Sequence, residues 1–157
     1  MSETMKKANE SVQAADTLVR RGTDAFLVAT ELEPSESGRK RYRLGGISDF
    51  LDNSHRVVDV NGRQLGVFHI KGKLYALPNI CPHMTGPVCE AKIVTGSLRT
   101  DESTDWKPEW IYDGEVVVCP WHGLEYHVPT GQCLAYEHIR IRRYKMTTEG
   151  DHVVVEI

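Results

Sequence analysis

The chain reads as an all-β protein, an antiparallel sandwich or barrel. Three observations predict it: a succession of short β-type segments from Arg41 onward, hairpin signals at Asn61-Gly62 and Lys71-Gly72-Lys73, and a Pro129-Thr130-Gly131 turn between two later segments. Asn-Gly and Lys-Gly pairs between β-formers favour the tight turn whose twist matches a two-stranded ribbon. Many short strands at this spacing imply packed or closed antiparallel sheets.

Taken in order, Met1–Asp24 is polar, with Ala8, Val12, Ala15 and Val19 spaced by four, three and four, which fits a short amphipathic helix. Its apolar face is thin, so a frayed terminus is the alternative. Ala25–Thr30 fits a strand, and Glu33–Gly38 is an exposed loop of turn formers. A domain edge near there makes residues 1–40 a polar N-terminal extension and 41–157 the main domain. Within it, strands are expected at Arg41–Ile47, Arg56–Gly62, Gln64–Ile70, Lys73–Leu77, Glu115–Cys119, Leu124–Val128, His138–Tyr144 and His152–Ile157. Thr95–Tyr112 is long, polar and interrupted by Pro108, and reads as an inserted loop.

Composition bounds the function. With 157 residues, 40% of them hydrophobic, a single domain buries roughly 70% of its unfolded surface and needs no disulfide or metal for stability. A bound metal would therefore serve function. The longest apolar run, Ala25–Ala29, is far too short to cross a bilayer. Lys6, Lys7, Arg20 and Arg21 punctuate the first 24 residues without a secretory apolar core, so a cytoplasmic address is expected. A net charge of -3 argues against general nucleic-acid binding. Four cysteines, at 81, 89, 119 and 133, are too few for a secreted disulfide scaffold.

Two segments carry chemistry: Cys81-Pro-His83 and Cys119-Pro-Trp-His122-Gly123. Each sets one thiol and one imidazole on a tight loop, and Pro82 and Pro120 stiffen the backbone immediately after each cysteine. Two Cys and two His also suit tetrahedral zinc, but zinc fingers of this composition usually pair Cys with Cys and His with His. Mixed loops permit both thiolates on one iron and both imidazoles on the other iron of a 2Fe-2S cluster.

The strings CPHMTGP, from Cys81, and CPWHGLEYHVPTG, from Cys119, resemble the Rieske family, whose signature is Cys-x-His followed by Cys-x-x-His. The run from Val57 to His83 looks like the strands that lead into the first loop of such domains. The resemblance covers about Arg41 to Ile157. It implies a β-sandwich with a small cluster-binding lobe of two loops, one Rieske 2Fe-2S cluster held by Cys81, His83, Cys119 and His122, and an electron exit at the two histidines. Trp121, Leu124 and Pro87 would shield the cluster.

Departures set the subtype. Rieske subunits of respiratory cytochrome bc complexes carry a disulfide between the two loops, where this chain has Gly86 and Trp121, and a serine where it has Leu124; Tyr126 matches their tyrosine. Fewer donors predict a potential toward the low end of the roughly −150 to +300 mV range. Thr85 stands where many ferredoxin-type members have glycine. The resemblance therefore implies a ferredoxin, an electron carrier without its own substrate turnover, between a flavin-dependent reductase and a terminal oxygenase such as an aromatic-ring dioxygenase. A small subunit of a reductase complex, as in nitrite reductase, and a zinc-stapled interaction module are the alternatives.

Cys89 and Cys133 are expected to be buried free thiols. His55, His69, His127, His138 and His152 are expected to be ordinary surface or core histidines. The Arg39-Lys40-Arg41-Arg43 and Arg140-Arg142-Arg143-Lys145 clusters fit solvated sheet edges or a docking patch. Residues 95–115 hold six acids, Asp101, Glu102, Asp105, Glu109, Asp113 and Glu115, against Arg99 and Lys107, a bias able to steer a basic partner.

Overall fold

The computed structural model describes residues 27–91 and 94–157. The helix expected over Met1–Asp24 lies outside them. Among the described residues the chain forms β1 (Leu27–Val28), β2 (Thr30–Leu32), β3 (Arg41–Gly46), β4 (Ser54–Val60), β5 (Arg63–Ile70), β6 (Lys73–Pro78), β7 (Val94–Arg99), β8 (Glu109–Val118), β9 (Glu125–His127), β10 (Gln132–Cys133), β11 (Lys145–Glu149) and β12 (His152–Glu156). They make three four-stranded sheets, in the orders β1-β4-β5-β6, β10-β9-β8-β7 and β11-β12-β3-β2. Every pairing is antiparallel except β1 on β4.

Alternation along the strands explains how the sheets are assembled. On β5, Leu65 and Val67 enter one core with Tyr42, Leu44, Val58, Val153 and Val155, whereas Phe68 and Ile70 enter another with Cys81, Cys119, Val117 and Tyr126. On β6, Ala76 joins the first core and Leu77 the second. Successive strand side chains point to opposite faces, so the β4-β5-β6 sheet is apolar on both sides and serves both neighbouring sheets. Each fully buried Val or Leu contributes about 1.5–3 kcal/mol. Asn61 and Gly62 take φ of 52° and 78°, and Lys71 and Gly72 take 50° and 75°, as tight hairpins joining β4 to β5 and β5 to β6 require.

Two expectations are corrected. Residues 95–112 are not a structureless loop: β7 and β8 pair as a long hairpin, Ser97 opposite Ile111, Leu98 opposite Trp110 and Arg99 opposite Glu109, with a short 3-10 turn at Glu102–Thr104. The outer part of this hairpin is exposed on both faces, so it lacks the apolar alternation that marks a half-buried strand. Its acids are largely answered internally, with Arg99 on Asp101 and Glu109, Lys107 on Asp105, and Lys71 on Glu115. Likewise, His138–Tyr144 is not a strand and makes only the isolated bridges Arg140 to Gln132 and Tyr144 to Ala76. There the chain folds back on the 129–131 turn instead: the Ile141 N–H donates to the Gly131 carbonyl at 2.8 Å.

Of the remaining histidines, His55, His69 and His127 are engaged within the fold, and His138 and His152 are exposed. His55 stacks on Phe68 and bonds the Ala91 carbonyl at 2.7 Å, and burial holds its pKa below the usual imidazole value. His69 bonds the Phe50 carbonyl at 2.8 Å. His127 bridges Glu115 and Thr130 at 2.9 and 2.8 Å, and the Tyr112 ring stacks on it. No helix among the described residues is long and apolar enough to cross a membrane.

Candidate metal centre

Cys81 follows the end of β6, and Cys119 follows β8 directly. Both strands end in the same core, so both thiols are buried. The two loops share one backbone frame. Cys81 N–H donates to the Gly86 carbonyl and Thr85 N–H to the Cys81 carbonyl, both at 2.8 Å; Cys119 N–H donates to the Leu124 carbonyl at 2.8 Å and Gly123 N–H to the Cys119 carbonyl at 2.9 Å. The fifth residue of each turn is left-handed, Thr85 at φ 60° and Gly123 at 68°. For a β-branched residue that conformation is strained.

Within this common frame the histidine is third in the first loop and fourth in the second. Both turn outward, and the His83 and His122 rings meet edge to face with centroids 4.9 Å apart. Ile80, Met84 and Trp121 are exposed beside them in the two loops, and neither Cys81–Pro87 nor Cys119–Leu124 contains a charged residue. The arrangement is a pair of thiols inside and a pair of imidazoles at the surface. A single tetrahedral zinc would need all four side chains round one point, whereas a mixed-ligand cluster would take the thiols on one iron and the imidazoles on the other.

The surroundings of the sulfurs fit that group. Tyr126, fully buried on β9, places its hydroxyl 3.1 Å from Cys81 Sγ. Burial, then the contact with Cys81, pushes the phenol pKa well above its usual value, so it remains a hydrogen-bond donor. Burial pushes the Cys119 thiol up, and the neighbouring Cys81 thiol adds to this, while the backbone N–H groups of Trp121 and His122 point at the sulfur and oppose the rise. Three donors aimed at two sulfurs suit thiolates that carry negative charge on a metal.

The three residues expected to shield the centre lie as follows. Trp121 lies over Gly86: a β-carbon on Gly86 would stand 2.9 Å from the indole Cγ and 3.1 Å from Cys119 Sγ. Leu124 packs on the core that holds both thiols. Pro87 is half-buried at the end of the first loop. Cys89 and Cys133 are buried and free, as expected.

Two organising residues escaped the sequence reading. Asn79 is buried between β6 and Cys81; its side chain accepts from Cys89 N–H at 2.8 Å and donates to Gln64 and Glu90, both at 3.1 Å. It ties down both ends of the first loop. Gln132 aims Nε2 at the carbonyls of Cys133, Tyr136, Glu137 and Ile139, at 3.0 to 3.3 Å, and so gathers a third loop beside the second. An asparagine or glutamine near a turn carries no signal that separates this role from ordinary turn chemistry.

The sequence profile of the Rieske [2Fe-2S] domain matches residues 40–145. The chain is 25% identical over 112 residues to the ferredoxin component of the naphthalene 1,2-dioxygenase system of Pseudomonas putida, a match covering 71% of this chain and 89% of that one. In structure it is similar to a chain of the complex of reduced oxygenase and oxidized ferredoxin in carbazole 1,9a-dioxygenase, with a TM-score of 0.56, 20% identity, and 74% and 92% of the two chains covered. It is also similar to the ferredoxin of carbazole 1,9a-dioxygenase from Nocardioides aromaticivorans IC177, with a TM-score of 0.54, 17% identity, and 73% and 95% covered. The matched profile spans both cysteine–histidine loops and the strands that present them, and the chain belongs to the Rieske [2Fe-2S] domain family.

Proposed function

We propose that this protein is a Rieske ferredoxin, a one-electron carrier that takes electrons from a flavin-dependent reductase and passes them to a terminal oxygenase. Cys81 and Cys119 are assigned to one iron and His83 and His122 to the other. The observation that carries this reading is the pairing at one tip of the fold: two buried thiols with hydrogen-bond donors, and two surface imidazoles in contact. When bound, a 2Fe-2S cluster supplies single-electron exchange. The protein's part is to hold the thiolates in a dry core, stabilise them through Tyr126 and the Trp121 and His122 amides, and leave the imidazoles exposed to a partner. The similarity to the naphthalene dioxygenase ferredoxin component supports the oxygenase as acceptor.

We assign residues 41–157 to the Rieske unit and 1–40 to an extension, in keeping with the matched span of 40–145; β1 and β2 join that unit by pairing with β4 and β3. The cytoplasm is the compartment we infer, because the two cysteines outside the ligand set, Cys89 and Cys133, are free thiols, which suits a reducing environment.

The test is the visible spectrum and low-temperature EPR of dithionite-reduced protein, with iron and acid-labile sulfide analysis. A rhombic signal with the low average g of a mixed His/Cys cluster is expected, and Cys81→Ser should abolish it. A zinc-loaded, colourless sample, or full absorption in Cys81→Ser, would sink the assignment.

A further inference from the structure

Most basic side chains that pair on this molecule pair with carboxylates. Lys40 faces Glu31, Arg41 faces Glu149, Lys71 faces Glu115, Arg99 faces Glu109, Lys107 faces Asp105 and Lys145 faces Glu156. Arg140, Arg142 and Arg143 are different. Among the described residues none of them has an acidic partner within ion-pair distance, yet each guanidinium is held in place by a neutral group. Arg140 donates through Nε and Nη2 to Gln132 Oε1 at 3.2 and 2.9 Å. Arg142 lies over the Tyr144 ring, 5.1 Å from its centroid. Arg143 donates through Nη1 to the Pro129 carbonyl.

The local fold brings the three together. Buried Ile141 anchors the segment in the core that holds the candidate ligand thiols, and its neighbours Arg140 and Arg142 are left outside. Gly131 makes the close approach possible, since a β-carbon there would stand 2.2 Å from the Ile141 carbonyl oxygen. The result is a shallow depression of about 350 Å³ lined by Thr130 and residues 140–143. Neutral tethers fix a guanidinium without cancelling its charge or using all five of its donors, so the trio is preorganised for carboxylates.

We propose that this face docks an acidic protein surface, that of the partner exchanging electrons with the centre; this rests on the carrier function proposed above. The depression is open and shallow, which fits carboxylates presented by another protein rather than an enclosed small molecule. It is also linked to the centre. Gln132 receives Arg140 on its oxygen and, through its nitrogen, holds the loop 133–139, whose Leu134 N–H donates to the Glu125 carbonyl beside the second ligand loop at 2.9 Å. Arg140 is therefore tied through Gln132 to the loop that flanks Cys119–Leu124. In a chain of net charge -3, such a local positive patch orients an acidic partner during encounter.

The experiment is calorimetric titration of the intact, cluster-loaded chain at low ionic strength with a glutamate oligomer and, separately, with inorganic phosphate. The Arg142→Gln/Arg143→Gln variant is compared with an Arg39→Gln/Lys40→Gln control, and an unchanged visible spectrum shows that each variant is folded. The glutamate oligomer should bind, weaken about fivefold or more in the first variant, and remain within about twofold in the control. No binding, equal weakening in both variants, or phosphate binding as tightly as the oligomer would overturn the proposal; the last would make the depression a small-oxyanion site. Binding here does not depend on electron transfer, so these outcomes are separable from loss of the spectral signature in Cys81→Ser, which alone bears on the carrier function.

Discussion

Trp121 of the second loop lies against Gly86 of the first, leaving no room for a β-carbon between the indole and Cys119 Sγ. In the respiratory relatives these two positions carry the bridging disulfide. Here a van der Waals contact joins the loops instead. Gly86→Ala should force the indole or the cysteine aside, at about 1–3 kcal/mol, and lower the iron content of the purified protein. Adding Trp121→Ala should restore it, as measured by iron per chain and visible absorbance. A Gly86→Ala protein with full iron content would show that the contact is slack.

Thr85 is predicted to weaken the first loop. A β-branched residue at φ 60° costs of order 1–3 kcal/mol, and part of that returns as unfolded-chain entropy when glycine replaces it. Thr85→Gly should gain about 1 kcal/mol, or about 2–4 °C in Tm, with the spectrum unchanged. Calorimetry of both proteins decides it.

Tyr126→Phe removes the hydroxyl that donates to Cys81 Sγ at 3.1 Å. That bond stabilises the reduced, more negative centre. Losing about 0.5–1.5 kcal/mol corresponds to a fall of about 20–65 mV for one electron. Redox titration of the variant should show a more negative potential, and an unchanged one would mean that the hydroxyl bonds elsewhere.

Glu115 supplies an acid-sensitive anchor for the β7–β8 hairpin. Hydrogen bonds from Lys71, then His127, hold its carboxyl below the ordinary 4.5. A lowered folded-state pKa means the stabilisation is present above about pH 4.5 and is lost as pH falls through the folded value. Urea midpoints measured between pH 3 and 7 should fall less steeply in Glu115→Gln than in the native chain below about pH 4.5.

Cys89 should resist thiol reagents. Burial pushes its thiol up to about 12, and Gly66 lies directly against it, where a β-carbon would stand 2.4 Å from its sulfur. At pH 8 almost none of it is thiolate, the reactive form. Labelling followed by mass spectrometry should modify Cys89 only after unfolding.

The hairpins at 61–62 and 71–72 were legible because glycine beside a turn former is a local code, and the paired cysteine–histidine spacings were legible because each loop closes on itself within a few residues. What escaped was set by neighbours distant in sequence. The β7–β8 hairpin pairs residues such as Arg99 and Glu109 whose burial is slight, so no apolar period announced it. Residues 138–144 have strand-like alternation, Ile139 and Ile141 between polar neighbours, yet the structure gives them Gly131 as a bonding partner rather than a strand. Asn79 and Gln132 owe their roles to which carbonyls and amides surround them, and the sequence around each names none of those partners.

The shared frame of the two ligand loops bears on how such a centre can be rebuilt. A turn closed by the same two amide bonds and the same left-handed fifth residue occurs twice, with the imidazole carried one place later in the second copy. The scaffold is thus a repeated socket, and the side chain plugged into its third or fourth place sets what the socket offers. Grafting donors onto that socket is a matter of substitution, with no change of loop length.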